Sequence, residues 1–284
     1  MEKIRILTDS GSDICAPFPE NLTVIPLTIH FGPEEYRDGE TIDHKTFYEK
    51  LTSGSALPTT SLIPPGEFEQ AYKKARDAGE TVIAILLSSK LSGSHNAAAL
   101  GANLAKESCP GKPVHVFDSE SASAGETYLA LMLRDLIDAG RSFEEIVSAI
   151  EEKIRSLHTL FVLDSLDNLV KNGRVSKAVA LIAGVLSIRL VMSDDGHGAI
   201  KQLGKARGIK GALAQMVDTC RKHTEGLAAG SQRLVLSYCN CLERANQVAA
   251  MIREKCPAIG EIVLTPTSAL SSMYAGDGGI VIAY

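Results

Sequence analysis

Four short apolar runs in the first half of the chain, KIRILT (3–8), LTVIPLTI (22–29), TVIAILL (81–87) and PVHVF (113–117), alternate with segments whose apolar residues recur at helical spacing. That alternation leaves little choice of fold. Runs this short, with no polar face, read as strands covered on both sides. Strands alternating with helices build a mostly parallel sheet with helices on both faces. PGEFEQAYKKARDAG (65–79) starts on proline and ends on glycine, the asymmetry of a helix. Residues 94–107 and 123–139 supply two more helices, and SFEEIVSAIEEKI opens another with Ser142 and Glu145 at capping-box spacing.

From about residue 158 the pattern loosens. A strand at 160–163, a short helix and a turn at Asn172–Gly173 come first. Strands at 188–192, 199–203, 233–238, 261–264 and 279–283 follow, with helices near 208–224 and 243–255. SDDGHG (193–198) reads as a hairpin turn, because Gly196 and Gly198 accept positive φ. The expected architecture is α/β with two domains. Residues 1–157 form a doubly wound, mostly parallel sheet, and residues 158–284 a smaller α+β domain with a mixed or antiparallel sheet.

Composition removes several classes of function. A net charge of −5 argues against a nucleic-acid surface, which needs a basic stripe. No run of apolar residues is long enough to span a bilayer, and MEKIRILTDS lacks the apolar stretch of a signal peptide. The expectation is a cytoplasmic protein with at most transient membrane contact. Of the cysteines, Cys15, Cys109, Cys220, Cys239, Cys241 and Cys256, only Cys239 and Cys241 are close in sequence. Cys-x-Cys on an apolar segment suits zinc poorly, so all six read as reduced, mostly buried thiols and no metal is expected.

The apolar runs stop in a consistent way, at Asp9–Ser10, Ser88–Ser89, Asp118–Ser119 and Asp164–Ser165. Asp and Ser cap helices, but several such pairs on one sheet edge also mark the crevice where open α/β sheets bind ligands. No nucleotide-binding glycine loop is present. Ser92 and His95 are spaced for a serine hydrolase or acyltransferase, though the flanks form no nucleophile elbow. Asp9, Asp13 and Asp118 offer a metal-assisted alternative. An anion cradle fits better. Ser92, Gly93 and Ser94 open a helix, where free N–H groups and the positive dipole end favour a carboxylate or phosphate. A second hydroxyl cluster, PTTSLIPPGEF (58–68), precedes another helix. With no cationic side chain expected nearby, a small monoanion suits the pair better than a triphosphate.

The chain resembles the DegV family of bacterial fatty-acid-binding proteins almost end to end. The matching stretches, in order, are ILTDSGSDI (6–14), VIPLTIHFGPEEYRDGETID (24–43), TTSLIPPGEF (59–68) and LSSKLSGSHNAA (87–98). VFDSESASAGE (116–126), LDNLVKNGRVSK (166–177), KARG (205–208) and YAGDGGIVIAY (274–284) complete the set. The resemblance implies a long-chain fatty acid held in a tunnel between two domains, with no other cofactor, and presented to a separate fatty-acid kinase. It implies that Thr60 and Ser92, with Ser61, Gly93 and Ser94 beside them, hold the carboxylate, and that Arg207 works with the kinase. The family's T-S-Q reads Thr60-Ser61-Leu62 here, its G-G-R reads Asn172-Gly173-Arg174 and its K-P-I-L reads Arg189-Leu190-Val191-Met192. Its head-group histidine is replaced by Tyr274, a phenol that can donate one hydrogen bond without titrating as histidine does near neutrality. These departures also fit a divergent carrier of another acyl ligand.

Overall fold

The computed structural model of the chain describes residues 3–14, 19–53, 58–108, 111–179 and 187–284. Cys15 and Cys109 lie outside the described residues. The parallel sheet consists of β1 (Ile4–Asp9), β2 (Leu22–Ile25), β6 (Thr81–Leu86) and β7 (Val114–Asp118) in the order β2-β1-β6-β7. A small antiparallel sheet joins β3 (Thr28–Phe31), β4 (Glu34–Arg37) and β5 (Thr59–Ser61) in the order β4-β3-β5. The second large sheet has six strands. They are β8 (Thr159–Val162), β9 (Ile188–Asp194), β10 (Ile200–Arg207), β11 (Gln232–Tyr238), β12 (Ile259–Pro266) and β13 (Ile280–Ala283). Their order is β10-β9-β8-β13-β11-β12, and β11 with β12 is the parallel pair in an otherwise antiparallel sheet.

Successive side chains of a strand point to opposite faces, and here the alternation sorts them into three cores. On β6, Val82, Ala84 and Leu86 face outward against Phe68 and Tyr72 of α2 (Pro65–Asp77) and Ala97 and Ala98 of α3 (Ser94–Ser108). Ile83 and Ile85 face inward. They share a core with Leu129 and Leu133 of α4 (Ala124–Asp138), Ile146 and Ile150 of α5 (Phe143–Ser156), and Phe161 and Val281 of the second sheet. On the far side of that sheet, Leu160, Val162, Leu234 and Leu236 meet α7 (Gly208–His223) and α8 (Leu242–Lys255). Helix α4 is therefore sandwiched, touching β1 and β6 on one side and β11 and β13 on the other. An amphipathic stripe would not serve there, and α4 is apolar on most of its circumference. Each Leu or Ile so buried contributes about 1.5–3 kcal/mol of transfer free energy.

The strand expected over 22–29 is two strands. Pro26 has no N–H to give to a ladder, so the chain leaves the parallel sheet after Ile25 and re-enters pairing at Thr28 in the small sheet. Leu27 donates its N–H to the Ser10 hydroxyl instead, at 3.1 Å. Three of the four apolar runs that stop on Asp or Ser end at one sheet edge, those of β1, β6 and β7. The fourth precedes Asp164, at the end of β8 in the other sheet, where it pairs with Arg244 and Arg189. The hairpin turn at 193–198 links β9 and β10, with Gly196 and Gly198 at φ of 86° and 85°. Among the described residues no helix is long and apolar enough to cross a membrane.

A short helix, α9 (Ala269–Ala275), packs its Ala269, Leu270 and Met273 into the core on the outer face of the parallel sheet, 160 residues or more from most of its neighbours in sequence. Carboxylates from the first strands hold it there. Asp13 accepts from the N–H of Ser268 at 2.9 Å and from the Ser123 hydroxyl, and Asp38 accepts from Ala269 and Leu270 at 3.1 and 3.2 Å. These acids occupy the N–H groups that a helix start leaves without partners. Burial pushes Asp38 up to about 6.

Asp9 and Glu126 form a second buried pair. Asp9 accepts from the N–H of Gly11 and of Leu87 at 2.8 and 3.0 Å, and burial pushes it up to about 6. Glu126, on α4, accepts from the Thr8 hydroxyl at 3.0 Å through Oε1, while its buried Oε2 has no partner. Burial first, and Asp9 second, raise its pKa well above the usual carboxylate range. An acid whose pKa is higher in the folded chain binds its proton more tightly there. Its stabilising contribution is full below the unfolded-state value near 4 and is lost as pH rises through the folded-state value. Glu126→Gln keeps the shape without the charge. The variant is expected to melt a few degrees above the parent at pH 8, on the order of 2–4 °C per kcal/mol, with the difference shrinking towards pH 5. Thermal melts of both proteins across that range check it, and a pH-independent difference would contradict it.

Candidate functional site

Between the two large sheets lies a cavity of about 140 Å³, measured as the volume open to the centre of a water molecule. That is room for roughly ten waters. One wall comes from the loops that follow β1, β6 and β7, through Gly11, Leu87, Leu91 and Ala122. The other is the inner face of the six-stranded sheet. Thr159, Phe161 and Leu163 line it at every second position from the start of β8, and Val281 faces it from β13. Leu270 and Ala275 of α9 close the side. The walls are mostly apolar, and the polar groups gather at two places.

The first polar cluster brings together Thr60, Ser92, Tyr274 and Arg174. The Thr60 hydroxyl lies 3.0 Å from the Tyr274 phenol oxygen, so two residues far apart in sequence share one hydrogen bond at the cavity wall. The Ser92 hydroxyl sits 2.9 Å from that of Ser94 and accepts the Ser94 N–H at 3.2 Å, an arrangement that fixes its rotamer at the start of α3. The sequence pattern predicts no cation here, yet Arg174 lines the cavity beside Tyr274. Its side chain reaches in from beyond α6 (Asp167–Lys171), donating to the carbonyls of Leu91 at 3.1 Å and Asn172 at 2.6 Å. Its guanidinium carbon stands 5.6 Å from the centre of the Tyr274 ring. Two of its five N–H groups are used in this way, and the rest remain available to an anion. The signal was the arginine of Asn172-Gly173-Arg174, one residue past a turn whose glycine has φ of 75°.

Other residues of the expected cradle stand behind the wall. Thr60 and Ser61 are neighbours on β5 and so point opposite ways. Ser61 is exposed, with its hydroxyl 2.7 Å from His30 Nε2, and does not line the cavity. Gly93 and Ser94 do not line it either. Ser94 is buried against Ser92, and a Cβ at Gly93 would come within 2.8 Å of the Leu62 side chain. Arg207 lies outside the cavity, exposed at the end of the edge strand β10. A bulge between Gln202 and Gly204 shifts the register, so that Lys205 and Arg207 pair with Leu190 and Ile188. Those two residues belong to the core between the sheets, so the bulge turns both cations onto the cavity's side of the sheet.

The rival chemistries find little support in the geometry. Ser92 engages Ser94, and His95 Nδ1, though buried, has no hydrogen-bond partner. Both oxygens of Asp9 are taken by backbone N–H groups, and Asp118 Oδ1 accepts from Ser89 and Glu120. Among the described residues no group of three or more His, Cys, Asp or Glu side chains is placed to hold a metal ion. Cys220, Cys239, Cys241 and Cys256 are free thiols.

The second polar cluster is at the opposite end of β8. Ser121 and Thr159 share a hydroxyl–hydroxyl contact of 2.7 Å, and Asp194 accepts the Thr159 N–H at 3.1 Å. Glu120, in a left-handed backbone conformation with φ of 49°, completes this end. The hairpin tip packs over it. The carbonyl of Gly198 accepts from the Ser88 hydroxyl at 2.8 Å, and a Cβ there would fall 3.0 Å from the Glu120 backbone.

Comparison with known proteins agrees with this architecture. A family described as "Uncharacterised protein, DegV family" matches residues 3–284. A DegV domain-containing protein of Streptococcus pyogenes is 34% identical over 284 residues, covering 99% of this chain and 98% of that one. A DegV family protein from Ruminococcus gnavus, described with vaccenic acid, superposes with a TM-score of 0.90 at 33% identity over 99% of each chain. The Fatty Acid Kinase (Fak) B3 protein of Streptococcus pneumoniae, loaded with linoleic acid, superposes with a TM-score of 0.89 at 34% identity, again over 99% of each chain. Across its whole described length, in sequence and in fold, the chain belongs to the DegV family.

Proposed function

We propose that this protein binds one long-chain fatty acid between two domains, residues 1–157 and 158–284, and presents its carboxylate to a partner fatty-acid kinase. The observation that carries this reading is the convergence of Thr60, Ser92, Tyr274 and Arg174 at one end of an otherwise apolar cavity. Three hydroxyls and a guanidinium around one point suit a carboxylate, and the apolar walls beyond suit its chain. The fatty acids described with the Ruminococcus gnavus and Streptococcus pneumoniae proteins support the same ligand class.

The energetics divide the work. Burying about 14 methylenes at roughly 0.8 kcal/mol each offers on the order of 11 kcal/mol before the costs of association. Hydrogen bonds to a charged group, about 1.5–3 kcal/mol each, offset the desolvation of the carboxylate. So the chain supplies affinity while the polar end sets direction, head towards Arg174. Ser94 and Gly93 act at one remove by holding Ser92, and Ser61 belongs to the rim outside. Arg207, exposed on the cavity's side of the edge strand, is the contact for the kinase.

The protein is expected to purify with about one long-chain acyl species per chain, detectable by mass spectrometry of a denatured extract. Finding none, together with no thermal shift on adding fatty acids, would remove the ligand from this reading. Ser92→Ala, Thr60→Val and Tyr274→Phe are each expected to weaken binding of the acid by about 1.5–3 kcal/mol. Methyl esters should bind the parent poorly and be less sensitive to these changes. Titration calorimetry with acid and ester compares them, and equal affinity for both would mean that the carboxylate goes unrecognised.

Arg207→Ala is expected to retain fatty-acid affinity within about twofold, well under 1 kcal/mol, and to slow acyl phosphate formation by a cognate kinase. Steady-state phosphorylation with parent and variant measures this. Unchanged kinetics would assign Arg207 to the solvated surface alone.

A further inference from the structure

The far end of the cavity does not match a plain hydrocarbon tail. Thr159, at the start of β8, and Leu163, one residue past its end, are four residues apart, or about 13 Å along an extended chain. Tyr274 lies past the Leu163 end, because β13, which follows it, runs antiparallel to β8 with Val281 opposite Phe161 and Ala283 opposite Thr159, and Arg174 stands over the Tyr274 ring. A chain entering from the head-group cluster is therefore directed at Glu120, Ser121, Thr159 and Asp194. These four also line a second, smaller cavity of about 20 Å³, reaching Arg155 and Gly196, with room for one or two waters. The two cavities meet at a polar wall.

The hydrogen-bonding capacity of that wall is only partly used. In the Ser121–Thr159 pair one hydroxyl donates to the other, which leaves one O–H to give and three lone pairs to accept. No hydrogen-bond donor among the described residues reaches the Glu120 carboxylate. The Asp194 oxygens accept from Thr159 and Gly196 and keep further lone pairs. A methyl group pushed against these atoms would strip their water and return nothing. A second carboxylate would meet Glu120 and Asp194 of the same sign, and burial together with Asp118 already raises the pKa of Glu120. A neutral group that both donates and accepts meets neither objection.

Resting on the fatty-acid reading above, we infer that the preferred ligand is a long-chain acid carrying a hydroxyl group at or near its methyl end, held by Ser121, Thr159 and Glu120. The ligand hydroxyl donates to the Glu120 carboxylate and accepts from the Ser121–Thr159 pair. No bond is made or broken.

The experiment measures affinities of the delipidated protein for hexadecanoic acid, ω-hydroxyhexadecanoic acid and hexadecanedioic acid by titration calorimetry. The ω-hydroxy acid is expected to bind about tenfold tighter than hexadecanoic acid, or 1.4 kcal/mol, and the diacid weakest of the three. Thr159→Val and, independently, Ser121→Ala should erase most of that preference, read as the ratio of the ω-hydroxy acid's affinity to that of hexadecanoic acid within each variant. Circular dichroism confirms folding, and Ser121→Ala serves alone should Thr159→Val fail to fold. Hexadecanoic acid binding as tightly as its ω-hydroxy counterpart, or a preference untouched in a folded variant, overturns this inference and leaves the fatty-acid reading standing. Tightest binding of the diacid overturns it likewise, in favour of an anion site at Arg155. Failure of all three acids to bind brings down both readings together.

Discussion

Two buried carboxylates hold the molecule in register. Asp13 and Asp38 come from the first forty residues, yet their hydrogen bonds go to the start of a helix at 269–275. An ionised acid is costly to bury, and backbone N–H groups at a helix start are costly to leave unpaired. Placed together, each offsets the other. The consequence is positional. Tyr274 is on that helix, and its phenol meets Thr60 from the small sheet only because the helix is fixed to the amino-terminal strands. Release the carboxylates and the head-group end of the cavity loses one of its walls.

The cavity exists because α4 separates the sheets over part of their facing area and not the rest. Where Leu129 and Leu133 intervene, the interior is packed. Beyond the start of the helix, at Ser121 to Ser123, the loops and the inner face of the second sheet are left apart. Space in this position inherits the chemistry of its borders. It is apolar along β8 and β13, where alternation points one side chain in two inward, and polar wherever a strand of the parallel sheet ends.

Much of this was legible in the sequence. Unbroken apolar runs gave the parallel sheet, because strands buried on both faces have no polar side to show. The hydroxyl clusters at 58–61 and 92–94 stood out because hydroxyls ahead of a helix have a limited set of uses, and the family resemblance singled out Thr60 and Ser92 within them. What was not legible has physical reasons. Pro26 divides one apolar run between two sheets, and composition alone cannot say which partner each half will find. Ser61 was grouped with Thr60 because sequence proximity hides the period of two that turns them apart on β5. Arg174 was passed over because it meets the carbonyl of Leu91 from 83 residues further along the chain, at a helix end that no local pattern ties to Ser92. Nor could Asp164 be assigned to the second sheet from its resemblance to the other strand endings. Tertiary placement decides the cases of Pro26, Arg174 and Asp164, and local patterning is silent on it.

The helix at 269–275 has a consequence for the order in which the molecule is made. Ala269, Leu270 and Met273 belong to the core on the outer face of the parallel sheet, whose other members are nearly all made before residue 106. A ribosome adding about 5–20 residues per second needs roughly 10–50 s to travel from Asp38 to Ala269, 231 residues later. Throughout that interval the nascent amino-terminal half carries an uncovered apolar surface beside two acids with no helix to cap. Its core closes only after nearly all of the described chain has emerged, so completion of the fold is a late event, dominated by contacts of long sequence separation.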